Sequence, residues 1–301
     1  MRHRALPSDF DFPTEVGHLR LRNPVIASSG TYGYGMEYAR YGDPSRLGAV
    51  VVKSLTVEPR PGFAAPRVTM LAEPGSMRNA IGVPNPGVRR WAESILPDMM
   101  DANVAVVASI WGVDAERVIE AARILAAYPG PIAWEVNLSC PNTEHPGSPV
   151  AHEADAASAV CRAVRELAPD NVAIWAKLAP DAEHVVDVGV ACFVAGADAV
   201  TVSNTYRADA MNPTLPQLGG GPGGMSGSVL RQYVRPIVEK FGASHSDVSV
   251  IACGGVLSSE IAMDYIGLGA KAVQIGTASL FDPRACHKIA RGVVARLRAA
   301  S

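Results

Sequence analysis

Short apolar, β-branched runs recur along the chain at residues 24–28, 49–53, 104–109, 132–137, 172–177, 199–204, 248–253 and 272–275, each bounded by glycine, proline or polar residues. Runs of this length and composition read as strands. Helical apolar spacing fills most of the intervals, at 88–100, 115–127, 154–167, 183–195, 230–241 and 258–268, with a last helix over 283–298. Strands alternating with helices imply a parallel sheet. Eight such strands close it into a (β/α)8 TIM barrel, an α/β fold formed as a single domain over residues 1–301. The leading TEVGHLRLRNP predicts a short N-terminal hairpin that closes the bottom of the barrel.

Barrel enzymes place their chemistry at the carboxyl ends of the strands. Those ends here carry Ser28-Ser29-Gly30, Lys53-Ser54, Ser109, Asn137, Lys177, Asn204-Thr205, Gly254-Gly255 and Gly276-Thr277. A single strand-end serine or asparagine commonly caps the next helix, and a single lysine can reach solvent. Polar or glycine residues at every end point instead to a site.

Two long connections, 55–87 and 206–228, read as βα loops over that site. The second contains LGGGPGGMSG, which formally matches GxGxxG but carries a proline and does not open the first βαβ unit. It therefore reads as a flexible lid or a close backbone approach rather than a dinucleotide fingerprint. IACGGV and VQIGTASL put glycine turns after the last two strands, the usual phosphate position of a barrel. Tight turns without a ligand are the alternative.

Composition narrows the partners. Lys+Arg of 27 against Asp+Glu of 29 leaves a formal charge of −2, so no basic field exists for nucleic acid or an anionic membrane. No apolar run approaches the roughly 20 residues that span a bilayer. The opening MRHRALPSDFDFP lacks the apolar core of a signal peptide, so the expectation is a soluble, cytoplasmic protein. The 5 cysteines are widely spaced without CxxC, which argues against a disulfide framework or a zinc or iron–sulfur site, and no metal is expected. Cys161, Cys192 and Cys286 read as buried small hydrophobes, and His145 and His152 as loop histidines.

The motifs SSGTYGYGMEY, VVKSLTVEPRPG, MRNAIGVPNPGV, NLSCPN, SNT, GGMSG and IACGGV…IGT run in order over about residues 23–283. Together they resemble the flavin-dependent class 1 dihydroorotate dehydrogenases, class 1B in particular. The resemblance implies FMN in the barrel mouth, with its phosphate on Gly254, Gly255, Gly276 and Thr277 and a backbone contact from Gly227. It puts Lys53 and Lys177 beside the isoalloxazine, where a cation stabilises charge building on the reduced ring. Further flavin contacts fall on Ser28, Gly30, Ser54, Ser109, Asn137 and Ser203.

Orotate presents both donors and acceptors, and asparagine offers both. The resemblance thus assigns Asn79, Asn137, Asn142, Asn204 and Thr205 as a polar frame for the substrate, with Lys53, Ile81 and Gly82 beside it. Cys140 is the implied general base, removing a proton from dihydroorotate while a hydride passes to FMN. The implied partners are dihydroorotate and orotate, a second copy of the chain in a homodimer, and an electron-transfer subunit carrying FAD and a [2Fe–2S] cluster that serves NAD⁺. Class 1A enzymes use fumarate instead.

Trp111 departs from the pattern, standing where a small residue is expected near the flavin, and 143–152 and 204–213 are also unusual. Two rivals remain open: an FMN barrel acting on another dihydropyrimidine or related ring, and a non-redox phosphate-binding or flavin-storing barrel.

Overall fold

The computed structural model describes residues 8–138, 152–180, 184–208 and 216–301. A two-stranded antiparallel hairpin, β1 (Thr14–Val16) and β2 (Leu19–Leu21), comes first. Then follow β3 (Val25–Ala27), β4 (Ala49–Val51), β5 (Val68–Met70), β6 (Ser76–Asn79), β7 (Val106–Ile110), β8 (Ala133–Asn137), β9 (Ala173–Lys177) and β10 (Ala199–Val202). The last four are β11 (Tyr206–Arg207), β12 (Gly224–Gly227), β13 (Val250–Cys253) and β14 (Ala272–Ile275).

The eight runs expected as strands are the eight staves of a closed parallel barrel, ordered β3-β4-β7-β8-β9-β10-β13-β14 and sealed where β14 pairs with β3. Their side chains alternate across the wall. Val25, Ala27, Val50 and Trp134 pack outward under the helices, while Ile26, Ala49, Val51, Val107, Ala133 and Trp175 fill the lower interior. Val16 and Leu21 of the hairpin join that interior cluster, so the hairpin plugs the barrel bottom as the sequence suggests. Gly17 N donates to Ser249 Oγ at 3.1 Å, and His18 Nδ1 lies 2.7 Å from Asp198 Oδ1.

Local chemistry sets the helix boundaries. Asp114 accepts from Arg117 N at 2.8 Å and starts Ala115–Leu125, and Ser258 accepts from Ile261 N to start Ser259–Gly267. The single helix expected over 88–100 is two, Val88–Ser94 and Leu96–Asp101. Pro97 has no N–H to continue the ladder, and its ring crowds the preceding turn, so the chain turns at Ile95.

The described parts of the two long loops contain strands that their sequences do not suggest. These strands pair with each other as a four-stranded antiparallel sheet, β11-β12-β6-β5. In it Gly224 faces Asn79 and Gly227 faces Ser76. The glycine-rich lid is thus a strand in close backbone approach: Gly227 holds φ +95°, and a Cβ there would stand 2.0 Å from Gly75 O. Arg78, only 2% exposed, tethers the sheet from its other side by donating to the carbonyls of Pro216 and Pro222.

Candidate active site

Continuing the inward alternation of each stave toward its carboxyl end changes the lining from apolar to polar. Above Ala133 come Glu135 and Asn137, above Trp175 comes Lys177, above Ala199 comes Thr201, above Ile251 comes Cys253, and above Ala272 comes Gln274. The polar layer floors a cavity of about 370 Å³, roofed by Val68, Met77, Asn79 and Ser226 of the four-stranded sheet. That volume lies within the range of small-molecule and cofactor sites, about 300–1,000 Å³.

One wall is made of turns. Gly254 and Gly255 follow β13, Gly276 and Thr277 follow β14, Ser28 and Gly30 follow β3, and Gly227 closes β12; all line the cavity. Gly255 has φ +70°, a conformation open to glycine, and a Cβ would crowd Arg231 at 3.0 Å.

The opposite wall is a hydrogen-bonded chain. Asn204 Nδ2 donates to Asn137 Oδ1 at 3.0 Å, and Asn137 Nδ2 donates to Ser54 Oγ at 3.0 Å. Ser54 Oγ meets Ser109 Oγ at 2.9 Å. Asn204 Oδ1 accepts from Thr205 N at 2.8 Å, and Asn79 Nδ2 reaches Gly224 O at 3.3 Å. Ser203 lines the cavity next to Asn204, its N–H held by Cys253 O at 2.7 Å.

Two cations face the space. Lys53 is half-buried with Nζ 5.2 Å from the Tyr34 ring centroid; burial pushes its pKa down while the Glu37 carboxylate opposes. Lys177, 4% exposed, pairs with Glu135 at 3.4 Å. Burial alone would lower its pKa, but the electrostatic influence of Cys253 and Glu135, with the Glu135 hydrogen bond, outweighs that and holds it above the ordinary lysine value.

Most residues singled out from the sequence therefore converge, including Lys53, Asn79, Ile81, Asn137, Lys177, Asn204 and Thr205. Ser109 does not line the cavity; it is fully buried behind Ser54. Gly82 backs against Phe63 behind Ile81. Trp111 is also off the wall, buried with its ring 5.4 Å from the Arg60 guanidinium, so it does not narrow the site. Cys140 and Asn142, with His145, lie outside the described residues. Glu135, Gln274, Thr201 and Cys253 are members of the site that the sequence reading passed over, although the alternation in AWEVN already puts Glu135 on the side of Asn137.

Comparison with known proteins agrees with this geometry. The catalytic subunit named dihydroorotate dehydrogenase B (NAD(+)) of Trichlorobacter lovleyi is 37% identical over 93% of this chain and 91% of its own length. The protein of the same name from Geotalea uraniireducens is 36% identical over 94% and 92%, and that from Geobacillus sp. strain WCH70 is 34% identical over 91% and 87%. A crystal structure of the DHODH of Eimeria tenella in complex with ferulenol matches with a TM-score of 0.80 at 20% identity. It covers 100% of this chain and 87% of that one, a likeness of fold. The sequence profile described as dihydroorotate dehydrogenase matches residues 12–297, and with these relatives it shows that the chain is an oxidoreductase belonging to the dihydroorotate dehydrogenase family, in its class 1B branch.

Proposed function

We propose that this chain oxidises dihydroorotate to orotate with FMN as its resident flavin, as the FMN-binding catalytic subunit of a class 1B enzyme. The observation that carries the proposal is the Asn204–Asn137–Ser54 chain of donors and acceptors facing the same cavity as Lys177. A planar ring edged with carbonyl and N–H groups needs such mixed partners.

The residues present fit FMN. Glycine turns after β13 and β14 let backbone N–H groups approach a phosphate. Lys177 and Lys53 face the cavity, and Lys53 makes no ion pair among the described residues, so the site favours an anionic group. When bound, FMN accepts the hydride lost by the dihydropyrimidine ring.

The chain's own residues do the rest. Asn79, Asn137, Asn204 and Thr205, with Asn142, hold the ring in one orientation, and Lys53 faces the substrate's negative charge. Cys140 takes the proton from the methylene carbon; Lys177 supports negative charge beside the flavin. The sheet roof keeps water from the reacting carbons.

The relatives' names, catalytic subunit and NAD(+), support a partner subunit that receives the electrons. For this chain we assign that partner FAD and a [2Fe–2S] cluster, with NAD⁺ as the final acceptor. No helix among the described residues is long and apolar enough to cross a membrane, and a cytoplasmic location belongs to the proposal.

Anaerobic addition of dihydroorotate to the purified yellow protein tests the reading. Its flavin absorbance is expected to bleach, and Cys140→Ala to slow the bleaching about a hundredfold or more. A colourless protein that takes up no added FMN overturns the cofactor assignment. Bleaching by dihydrouracil and not by dihydroorotate overturns the substrate.

A further inference from the structure

One acidic side chain beneath the cavity, the partner of Lys177, is given no role in the proposed reaction. Glu135 is fully buried in β8, where a carboxylate persists only if its oxygens are paired. Oε2 accepts from Thr201 Oγ1 at 3.1 Å and from Gln274 Nε2 at 2.5 Å, while Oε1 lies 3.4 Å from Lys177 Nζ. The Gln274 amide is thereby given a direction. With its NH₂ committed to Glu135, its carbonyl points the other way, accepting from Lys177 Nζ at 3.1 Å and from Ser28 Oγ at 3.1 Å.

The groups facing Lys177 come from five other strands. Glu135 on β8 and Cys253 on β13 are titratable; β3, β10 and β14 present Ser28, Thr201 and Gln274 from their ends or interiors, all neutral. Lys53 lines the same cavity. A lysine buried alone in such a layer sheds its proton near neutral pH, and two apolar residues would pack there without any desolvation cost. An ion pair at this depth is a cost to folding, so its presence points to a use for the charge facing the cavity.

We propose that Glu135 is a positioning residue of the redox site: it holds Lys177 protonated and, through Gln274, aims its ammonium at the cavity, so the positive charge offered to the flavin stays constant across the working pH range. The proposal rests on the flavin reading above for its purpose, but the Glu135–Lys177 coupling can be read without any flavin.

In FMN-free protein, trace acetic anhydride acetylates an amine only in its unprotonated form. The rate at Lys177 is measured by peptide mass spectrometry from pH 7 to 11, with exposed Lys271 as internal standard. The midpoint of the Lys177 profile is expected to fall by at least one pH unit in Glu135→Gln, equivalent to about tenfold faster labelling at a pH below both midpoints. A purely packing role would raise the rate at every pH without moving the midpoint, and that result, like identical profiles, overturns the proposal. If Glu135→Gln does not fold, Glu135→Asp is read the same way, its shorter carboxylate giving a smaller shift in the same direction.

In the FMN-loaded proteins, the flavin midpoint potential of Glu135→Gln is expected to fall more steeply above the pH where its Lys177 deprotonates, with no such break in the parent. Parallel potential–pH curves overturn the flavin purpose even if the labelling shift is present. Failure of either protein to take up FMN counts against the flavin reading alone, and the labelling result then stands by itself.

Discussion

Asn204 occupies a place where geometry limits what a substitution can do. Its Nδ2 supplies the donor that Asn137 Oδ1 accepts, and its own Oδ1 holds Thr205 N, so it orders both neighbours from one side chain. Asn204→Ala is expected to raise the KM for dihydroorotate by about 5- to 150-fold, the worth of one buried hydrogen-bonding partner at roughly 1–3 kcal/mol. FMN content should stay near that of the parent, because the glycine turns proposed to hold the phosphate stand on the other wall of the cavity. Loss of flavin together with substrate would show that the residue supports the cofactor instead. Such residues were legible because strand ends can be located from the apolar runs, and Asn137, Lys177 and Asn204 stand at or just after them. Ser109 stands at an end too, yet its Oγ is spent on Ser54, which position alone does not reveal. Glu135 and Gln274 escaped for the opposite reason: each is inside an apolar run, and polar residues there are easily taken as interruptions.

Among the elements, the eight staves were readable because each is apolar and β-branched enough to announce itself. The β5, β6, β11 and β12 sheet was not. GMSG and SMRN have neither alternation nor β-branched residues, and their pairing joins segments about 145 residues apart in sequence. Backbone approach rather than side-chain pattern forms this sheet, so a side chain in the wrong place should break it. Gly227→Ala would place a methyl group against Gly75 O in a backbone conformation that L-residues resist, at a cost of roughly 1–3 kcal/mol. The expected outcome is a weaker FMN dissociation constant, since Gly227, Met77 and Asn79 line the cavity, with the far-UV circular dichroism of the barrel unchanged. A variant binding FMN as tightly as the parent would show that the roof tolerates displacement. Pro97 marks the helix break, but the apolar spacing that runs on across 88–100 reads as one helix.

At the scale of the molecule, the closed strand order follows from connecting neighbouring parallel strands in sequence, the polarity from an apolar plug at one end and a polar layer at the other. Closure brings the two ends of the barrel sequence together, as β14 meets β3 through Val273↔Val25, Gln274↔Ile26 and Ile275↔Ala27. The turns proposed to hold FMN straddle this seam, with Ser28 and Gly30 after β3 and Gly276 and Thr277 after β14. A ligand held on both sides of the seam binds only the closed barrel and stabilises it by mass action. At free FMN a hundredfold above its dissociation constant that is about 2.7 kcal/mol. For a chain of this size, near 2 °C per kcal/mol, the midpoint of thermal unfolding is expected to drop by about 5 °C on stripping FMN and to recover on titrating it back. Differential scanning calorimetry across a series of FMN concentrations measures this. The same rise should be smaller with riboflavin, which lacks the phosphate for the glycine turns, and a midpoint equally raised by both would place the binding energy on the ring wall of Lys177 and Asn137 instead.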